Sequence, residues 1–256
     1  MNISLAAEPI FHIGSFAVTN SLIVAVLVTI FLLVISISLR IRKLSEVPTG
    51  LQNLLESIVE FGVKFVTSVT GDEKNSQKFF PLVATIFFFV LLSNWFGLLP
   101  GVGSIGIYEV HHGQRVLVPF LRSASADLNG TLAIALISVL GTQFFGIVIL
   151  GFFKHVGKYL DFVGLIKHFS VEKVVMFFVG ILELISEVAK VVSFSFRLFG
   201  NIFAGEVLLI VVSALVPYFA PLPFLFMEIF VGLVQALVFS LLTLVFLTIA
   251  TAEHSH

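Results

Sequence analysis

Three uncharged apolar runs, 16–39, 79–99 and 131–153, constrain this chain more than any other feature of its sequence. A transmembrane helix needs about 20 apolar residues to cross a hydrocarbon core of roughly 30 Å, and each run supplies them. The whole chain follows suit: 58% of its 256 residues are apolar and only 11% charged, so lipid is its main solvent. The first ten residues lack the basic stretch of a secretory leader, and the apolar run after them is too long for one. The first span is therefore expected to be retained.

A fourth apolar stretch, 171–216, contains no proline and would measure roughly 69 Å as one helix at 1.5 Å per residue. That is over twice the membrane thickness. No turn cluster interrupts it, so the sequence predicts a single, strongly tilted helix. Pro217, Pro221 and Pro223 end it, and a final helix over 224–251 returns against it as a slanted hairpin. Between the first two spans, at 50–70, Leu51, Leu54, Leu55, Ile58, Phe65, Val66 and Val69 share one helical face, and Gln52, Glu56, Glu60 and Lys64 the other. This is the pattern of an interfacial amphipathic helix. The predicted fold is an all-α integral membrane protein, one membrane domain over 1–256, with about five transmembrane helices plus that interfacial helix. No internal repeat is visible, which weighs against a transporter built from inverted halves.

Basic residues orient the chain. The 40–78 connection carries Arg40, Arg42, Lys43, Lys64, Lys74 and Lys78, and the 154–173 connection carries Lys154, Lys158, Lys167 and Lys173. The 100–130 connection has only Arg115 and Arg122. By the positive-inside rule the first two are cytoplasmic, the N-terminus is outside and the C-terminus inside. With 14 Lys plus Arg against 15 Asp plus Glu there is no basic surplus to bind nucleic acid. The absence of cysteine excludes disulfides and thiolate sites.

The long helix carries Glu183, Glu187, Lys190, Arg197, Asn201 and Glu206 at membrane depth, and the last helix carries Glu228 and Gln235. Ionisable groups are costly there and mark an ion pathway or an internal pairing network. At 100° per residue, Glu183, Glu187, Lys190, Ser193, Arg197 and Asn201 fall within an arc of roughly 120°, and Glu206 projects elsewhere. Arg197 thus stands between two acidic groups, Glu183 and Glu187 on the inner side, Glu206 and Glu228 on the outer. Arginine effectively never deprotonates, whereas a desolvated carboxylate exchanges protons near neutrality, so the acids suit proton relay and Arg197 suits a fixed barrier. The alternative is that Arg197 pairs with Glu183 or Glu187 to hold helices together. Gly200 and Ala204, and likewise Gly232, Ala236 and Ser240, are spaced for close helix approach.

All seven histidines fall in connections or at span ends, leaving no intramembrane pair for haem. His111 and His112 lack a third metal ligand and read as an exposed loop, and no phosphate-binding glycine loop is present. No cofactor and no metal are expected.

The run Ser195-Phe196-Arg197-Leu198-Phe199-Gly200-Asn201-Ile202-Phe203-Ala204-Gly205-Glu206 resembles the signature of subunit a of F-type ATP synthases. Further likeness lies in Val47-Pro48-Thr49-Gly50-Leu51-Gln52-Asn53, in Asn94-Trp95-Phe96-Gly97-Leu98-Leu99-Pro100, in Asp127-Leu128-Asn129-Gly130-Thr131, and in Glu228 and Gln235. The resemblance implies a non-catalytic, ion-translocating stator subunit in a bacterial inner membrane. Its partners would be a rotating ring of small hairpin subunits, each with one carboxylate, and a peripheral-stalk subunit. It further implies that Arg197 is the essential arginine, that Asn201, Glu206, Glu228 and Gln235 serve an outer half-channel, and that Glu183, Lys190 and Ser193 serve an inner one. Val191 stands where many relatives have proline, Gly97 where some have Asp, and Glu206 and Glu228 where many have one His. Two neighbouring carboxylates in the outer half-channel would titrate as a coupled pair. A proton-coupled transporter or a proton-pumping respiratory subunit is the competing reading of the same buried charges.

Overall fold

The computed structural model describes residues 7–41, 50–99, 101–102, 105–111, 114–159 and 171–252. Arg42, Lys43, Val47, Pro48, Thr49, Pro100, His112, Lys167, His168, His254 and His256 lie outside the described residues. Five helices among those described are long and apolar enough to span a membrane. In chain order the helices are α1 (Asn20–Ile41), α2 (Leu51–Thr70), α3 (Glu73–Phe96), α4 (Leu128–Leu150), a short α5 (Phe152–Tyr159), α6 (Val171–Leu215) and α7 (Pro221–Thr251). With no water in the hydrocarbon core, helices satisfy their backbone groups internally, which suits these apolar segments.

Helix α6 runs unbroken for 45 residues, as the proline-free run predicts, and α7 for 31. Pro217 stops α6, the backbone turns through Tyr218 at φ 80, and Pro221 opens α7 in the first turn, where a missing N–H costs no helical bond. The short connection makes α6 and α7 a hairpin. Each also has a larger partner: α7 lies mainly on α3, and α6 mainly on α4.

Several boundaries differ from the sequence reading: the span predicted over 16–39 starts at Asn20, with 16–19 in a strand, and the helix predicted over 224–251 starts at Pro221. The span predicted over 131–153 ends at Leu150, because Gly151 takes φ 87, which releases the chain into α5. Helix α3 starts at Glu73, before the apolar run, because Asp72 accepts the Lys74 N–H at 3.0 Å as its N-cap. The structure also adds two antiparallel hairpins, β1 (Pro9–Ile13) with β2 (Phe16–Thr19), and β3 (Gly106–His111) with β4 (Gln114–Pro119). The backbone of His111 therefore pairs opposite Gln114 in a strand instead of lying in a loop.

The core sits where four helices cross. Ile86 and Val90 of α3, Ile134 of α4, Phe194, Leu198 and Ile202 of α6, and Ala236 and Phe239 of α7 form one buried cluster. Helix α2 docks on the side of this bundle through Val66, which packs with Phe79, Val83, Leu244 and Leu247. Its remaining apolar face, Leu54, Ile58, Phe61 and Phe65, stays exposed. The polar face carries Gln52 donating to Glu56 at 2.8 Å and Lys64 donating to Glu60 at 2.6 Å. That hydrogen bond and the lysine charge hold the Glu60 carboxyl below its ordinary value. An apolar stripe opposite a charged one is what an interfacial helix requires.

Helix α1 is tied on by Asp127. Its carboxylate accepts the Asn129 N–H at 3.0 Å, capping α4, and the Ser21 hydroxyl at 2.9 Å, anchoring the start of α1. The motif that begins at Asp127 thus has a structural task. Asp127→Ala removes a cap and leaves the buried Ser21 hydroxyl without its acceptor, so the detergent-solubilised chain should lose ~2 kcal/mol of stability. Chemical denaturation followed by tryptophan emission measures it; an unchanged midpoint would show that neither bond contributes.

Candidate functional site

Helix α6 has two faces with different occupants. Phe194, Leu198 and Ile202 point into the core, while Ser193, Phe196, Arg197, Gly200, Asn201 and Ala204 are exposed along a second face. No salt bridge joins Arg197 to any described residue. Among the described residues nothing lies within 4 Å of a Cβ built at Gly200, and Ala204 is exposed, so the close approach expected from this pair is not made by any of them. The small residues leave a shallow, open strip beside the arginine. Ala236 and Ser240 are buried as expected, and Gly232 does lie close to α3.

The edge of the open face nearest α7 carries the polar groups. Asn201 donates its amide to the Gln235 carbonyl oxygen at 2.9 Å, joining two predicted site residues across the hairpin. Toward the N-terminal half of α6, Lys190 donates to Glu187 and rests its ammonium 4.4 Å from the Phe246 ring centre on α7. Glu187, one of the two acids the sequence offers as a partner for Arg197, is thus held by Lys190. Glu183 lies one turn earlier, half-buried, and Ser193 is exposed.

At the other end, Glu228 is buried and lies against the α6 backbone at Gly205. A Cβ on Gly205 would fall 1.9 to 2.1 Å from the Glu228 carboxyl atoms, so only glycine leaves room for them. Two hydrogen bonds from α3 hold this part of α7: Asn94 donates to the Gly232 carbonyl and the Trp95 indole to that of Ile229, both at 3.1 Å. Asn94 and Trp95, legible in the sequence only as part of a resemblance, therefore fix the turn that bears Glu228.

Glu206 is placed differently from its sequence neighbours. It continues the inward row Phe194, Leu198, Ile202 and meets Arg122, whose Nε donates to both carboxylate oxygens at 3.0 and 3.1 Å and whose Nη2 donates at 3.0 Å. Arg122 is only 7% exposed. The sequence reading counted Arg122 as a loop charge and missed this pairing. The available signal was an arginine followed directly by the small residues Ser123 to Ala126, which pack into the bundle. No cluster of three or more potential metal ligands occurs among the described residues.

Comparison with known proteins decides the family. The family described as ATP synthase A chain matches residues 19–248. ATP synthase subunit a of Campylobacter concisus is 36% identical over 232 residues, covering 90% of this chain and 89% of the relative. That of Campylobacter jejuni serotype O:23/36 is 36% identical over 247 residues, or 96% and 91%, and that of Moorella thermoacetica 32% identical over 247, or 96% of each. The chain belongs to this family. It is accordingly an ATP synthase subunit a homologue, of the family that forms the proton-translocating stator subunit of the membrane sector. The competing transporter and respiratory readings gain no support.

The fit between Gly205 and Glu228 generates a test. Gly205→Ala should destabilise the chain, since the methyl group and the carboxylate need the same space. Adding Glu228→Ala should recover part of that loss, because contacting residues are non-additive. Thermal midpoints of the two variants in detergent decide it, and a double variant less stable than Gly205→Ala alone would contradict the contact.

Proposed function

We propose that this chain supplies two half-channels to a rotating ring of small membrane hairpin subunits, with Arg197 as the barrier between them. The observation that carries this reading is an exposed arginine, without a salt bridge to any described residue, on an open strip of a membrane helix. A permanent cation in lipid needs a counter-charge, and a ring carboxylate passing along that strip supplies one. Asn201, Glu206, Glu228 and Gln235 serve the outer half-channel, and Glu183, Lys190 and Ser193 the inner one. The hydrogen bond from Asn201 to Gln235 and the burial of Glu228 support a polar path between α6 and α7 beyond Arg197.

A ring carboxylate facing Arg197 is favoured in its ionised form, so it releases its proton on one side and takes up another after passing. The arginine also blocks direct passage, since it gives up no proton itself. The chain makes and breaks no covalent bond; it couples ion flow to rotation. A peripheral-stalk subunit holds it still, and the membrane is the bacterial inner membrane, with the N-terminus outside and the C-terminus in the cytoplasm.

Arg197→Ala should abolish ATP-driven pumping and ATP synthesis while membranes holding the assembled complex keep or gain passive proton permeability. Arg197→Lys should fail as well, because lysine can lose a proton and lacks the planar fork. Assembly, pumping and passive flux measured on the same membranes test this; an assembled Arg197→Ala complex that couples synthesis at the native rate would refute the role. For topology, the chain contains no cysteine, so single Lys158→Cys and Gln114→Cys variants report directly. A membrane-impermeant thiol reagent on whole cells should label only the second, and the reverse result would invert the orientation.

A further inference from the structure

Glu206 and Glu228 are alike in chemistry and unlike in setting. No salt bridge joins Glu228 to a described residue, whereas the Glu206 carboxylate is gripped at both oxygens by one guanidinium. We propose that Arg122 is a positioning residue for ion transfer, fixing the Glu206 carboxylate in the outer half-channel. This rests on the outer pathway proposed above.

The geometry is that of a clamp. Three donor contacts at 3.0 to 3.1 Å fix the plane of the carboxylate as well as its place, which a single contact does not. Phe203, one turn before Glu206 on the same helix, lies under the guanidinium at 5.9 Å, so α6 presents both an aromatic face and an anion to one cation. The segment carrying Arg122 has its own anchors. Ser123 donates to the Ser93 carbonyl at 2.9 Å, and Ala124, Ser125 and Ala126 are buried in the bundle. The ion pair is therefore not what seats the loop.

A buried ion pair contributes little net stability over apolar packing, so fold stability alone does not call for this one. What the pair provides is a carboxylate that cannot swing. Arg122 donates hydrogen bonds without releasing a proton, so protons move between water and the acids while the clamp sets where the Glu206 oxygens stand. The arrangement divides the two outer acids into a held acceptor, Glu206, and a free one, Glu228, which is seated against Gly205.

The test is a mutant cycle on the whole complex in native membranes, reading ATP-driven proton pumping per assembled complex. Arg122→Lys keeps the charge and loses the fork; it should assemble and pump about tenfold more slowly or worse, as misplaced acceptors do. In a Glu206→Gln background the same change should have no further effect, because the residue acts through Glu206. Native pumping by Arg122→Lys, or an equal loss in both backgrounds, overturns the proposal. If Arg122→Lys does not assemble, Arg122→Gln/Glu206→Gln takes its place. Pumping equal to that of Glu206→Gln alone supports positioning, and a further loss or failure to assemble overturns it in favour of a structural role. Native pumping by Glu206→Gln would instead remove Glu206 from the outer pathway, refuting the underlying reading itself.

Discussion

The hydrocarbon core contains no water, and the polar contacts between elements of this bundle answer to that absence. An unsatisfied polar group there costs several kcal/mol, which is a large share of a domain's net stability of roughly 5 to 15 kcal/mol. The bundle accordingly pairs its polar groups across helices. Ser138 meets Thr243 at 2.7 Å, Asn94 meets the Gly232 carbonyl, Asn201 meets Gln235, and Arg122 meets Glu206. The first two and the last join elements distant in sequence, and the third ties the consecutive helices α6 and α7, so the groups that are expensive in lipid also help to define which helices are neighbours.

The length of α6 lets one helix do two tasks. Its inward row of Phe194, Leu198 and Ile202 supplies the apolar centre of the bundle, and its outward row of Ser193, Arg197 and Gly200 is exposed, with nothing comparable packed on it among the described residues. Glu187 and Glu206 lie 19 residues apart, roughly 28 Å along the axis, and α6 carries both. Forty-five residues span roughly 68 Å, enough to carry Glu187 with Lys190 near one end of the path and Glu206 near the other. The hairpin partner α7 follows it closely enough to contribute Glu228, Gln235 and Phe246 at matching levels.

Much of this was legible in the sequence, for a physical reason. Span number follows from length and apolarity, and the polar stripe of α6 follows from 100° per residue; both are local properties. The same rotation set Glu206 apart from Arg197, and the structure places the two on different faces. What escaped depends on neighbours from elsewhere in the chain. Arg122 lies in a connection, where positive charge ordinarily means water, and only the packing of Ala124 to Ala126 turns it inward. Small residues misled similarly: Gly200 fits a helix-packing pattern and meets no neighbour among the described residues, whereas Gly205, which carries no such spacing cue, is the one that admits the Glu228 carboxylate. The two β-hairpins escaped because their strands are short: β2 lies within the apolar run that reads as the first span, and β3 and β4 lie in a segment that reads as a connection.

The pairing pattern bears on why Arg197 can serve a moving partner. Glu187, ten residues before it, is bound by Lys190, and Glu206, nine residues after it, is bound by Arg122, so the nearest acid along α6 on either side already has its own cation. At an effective dielectric of about 20, a lone carboxylate about 15 Å along the helix would attract Arg197 by only about 1 kcal/mol, and a neutralised one by less. A carboxylate brought to about 4 Å would attract it by about 4 kcal/mol. The internal acids thus compete weakly for the arginine, and an anion arriving on the open strip meets a cation not already bound. Had Glu187 paired with Arg197 instead, an incoming carboxylate would first have to displace it. Under the proposed function, the ion pairs at both ends of the path therefore help to keep the charge in the middle available.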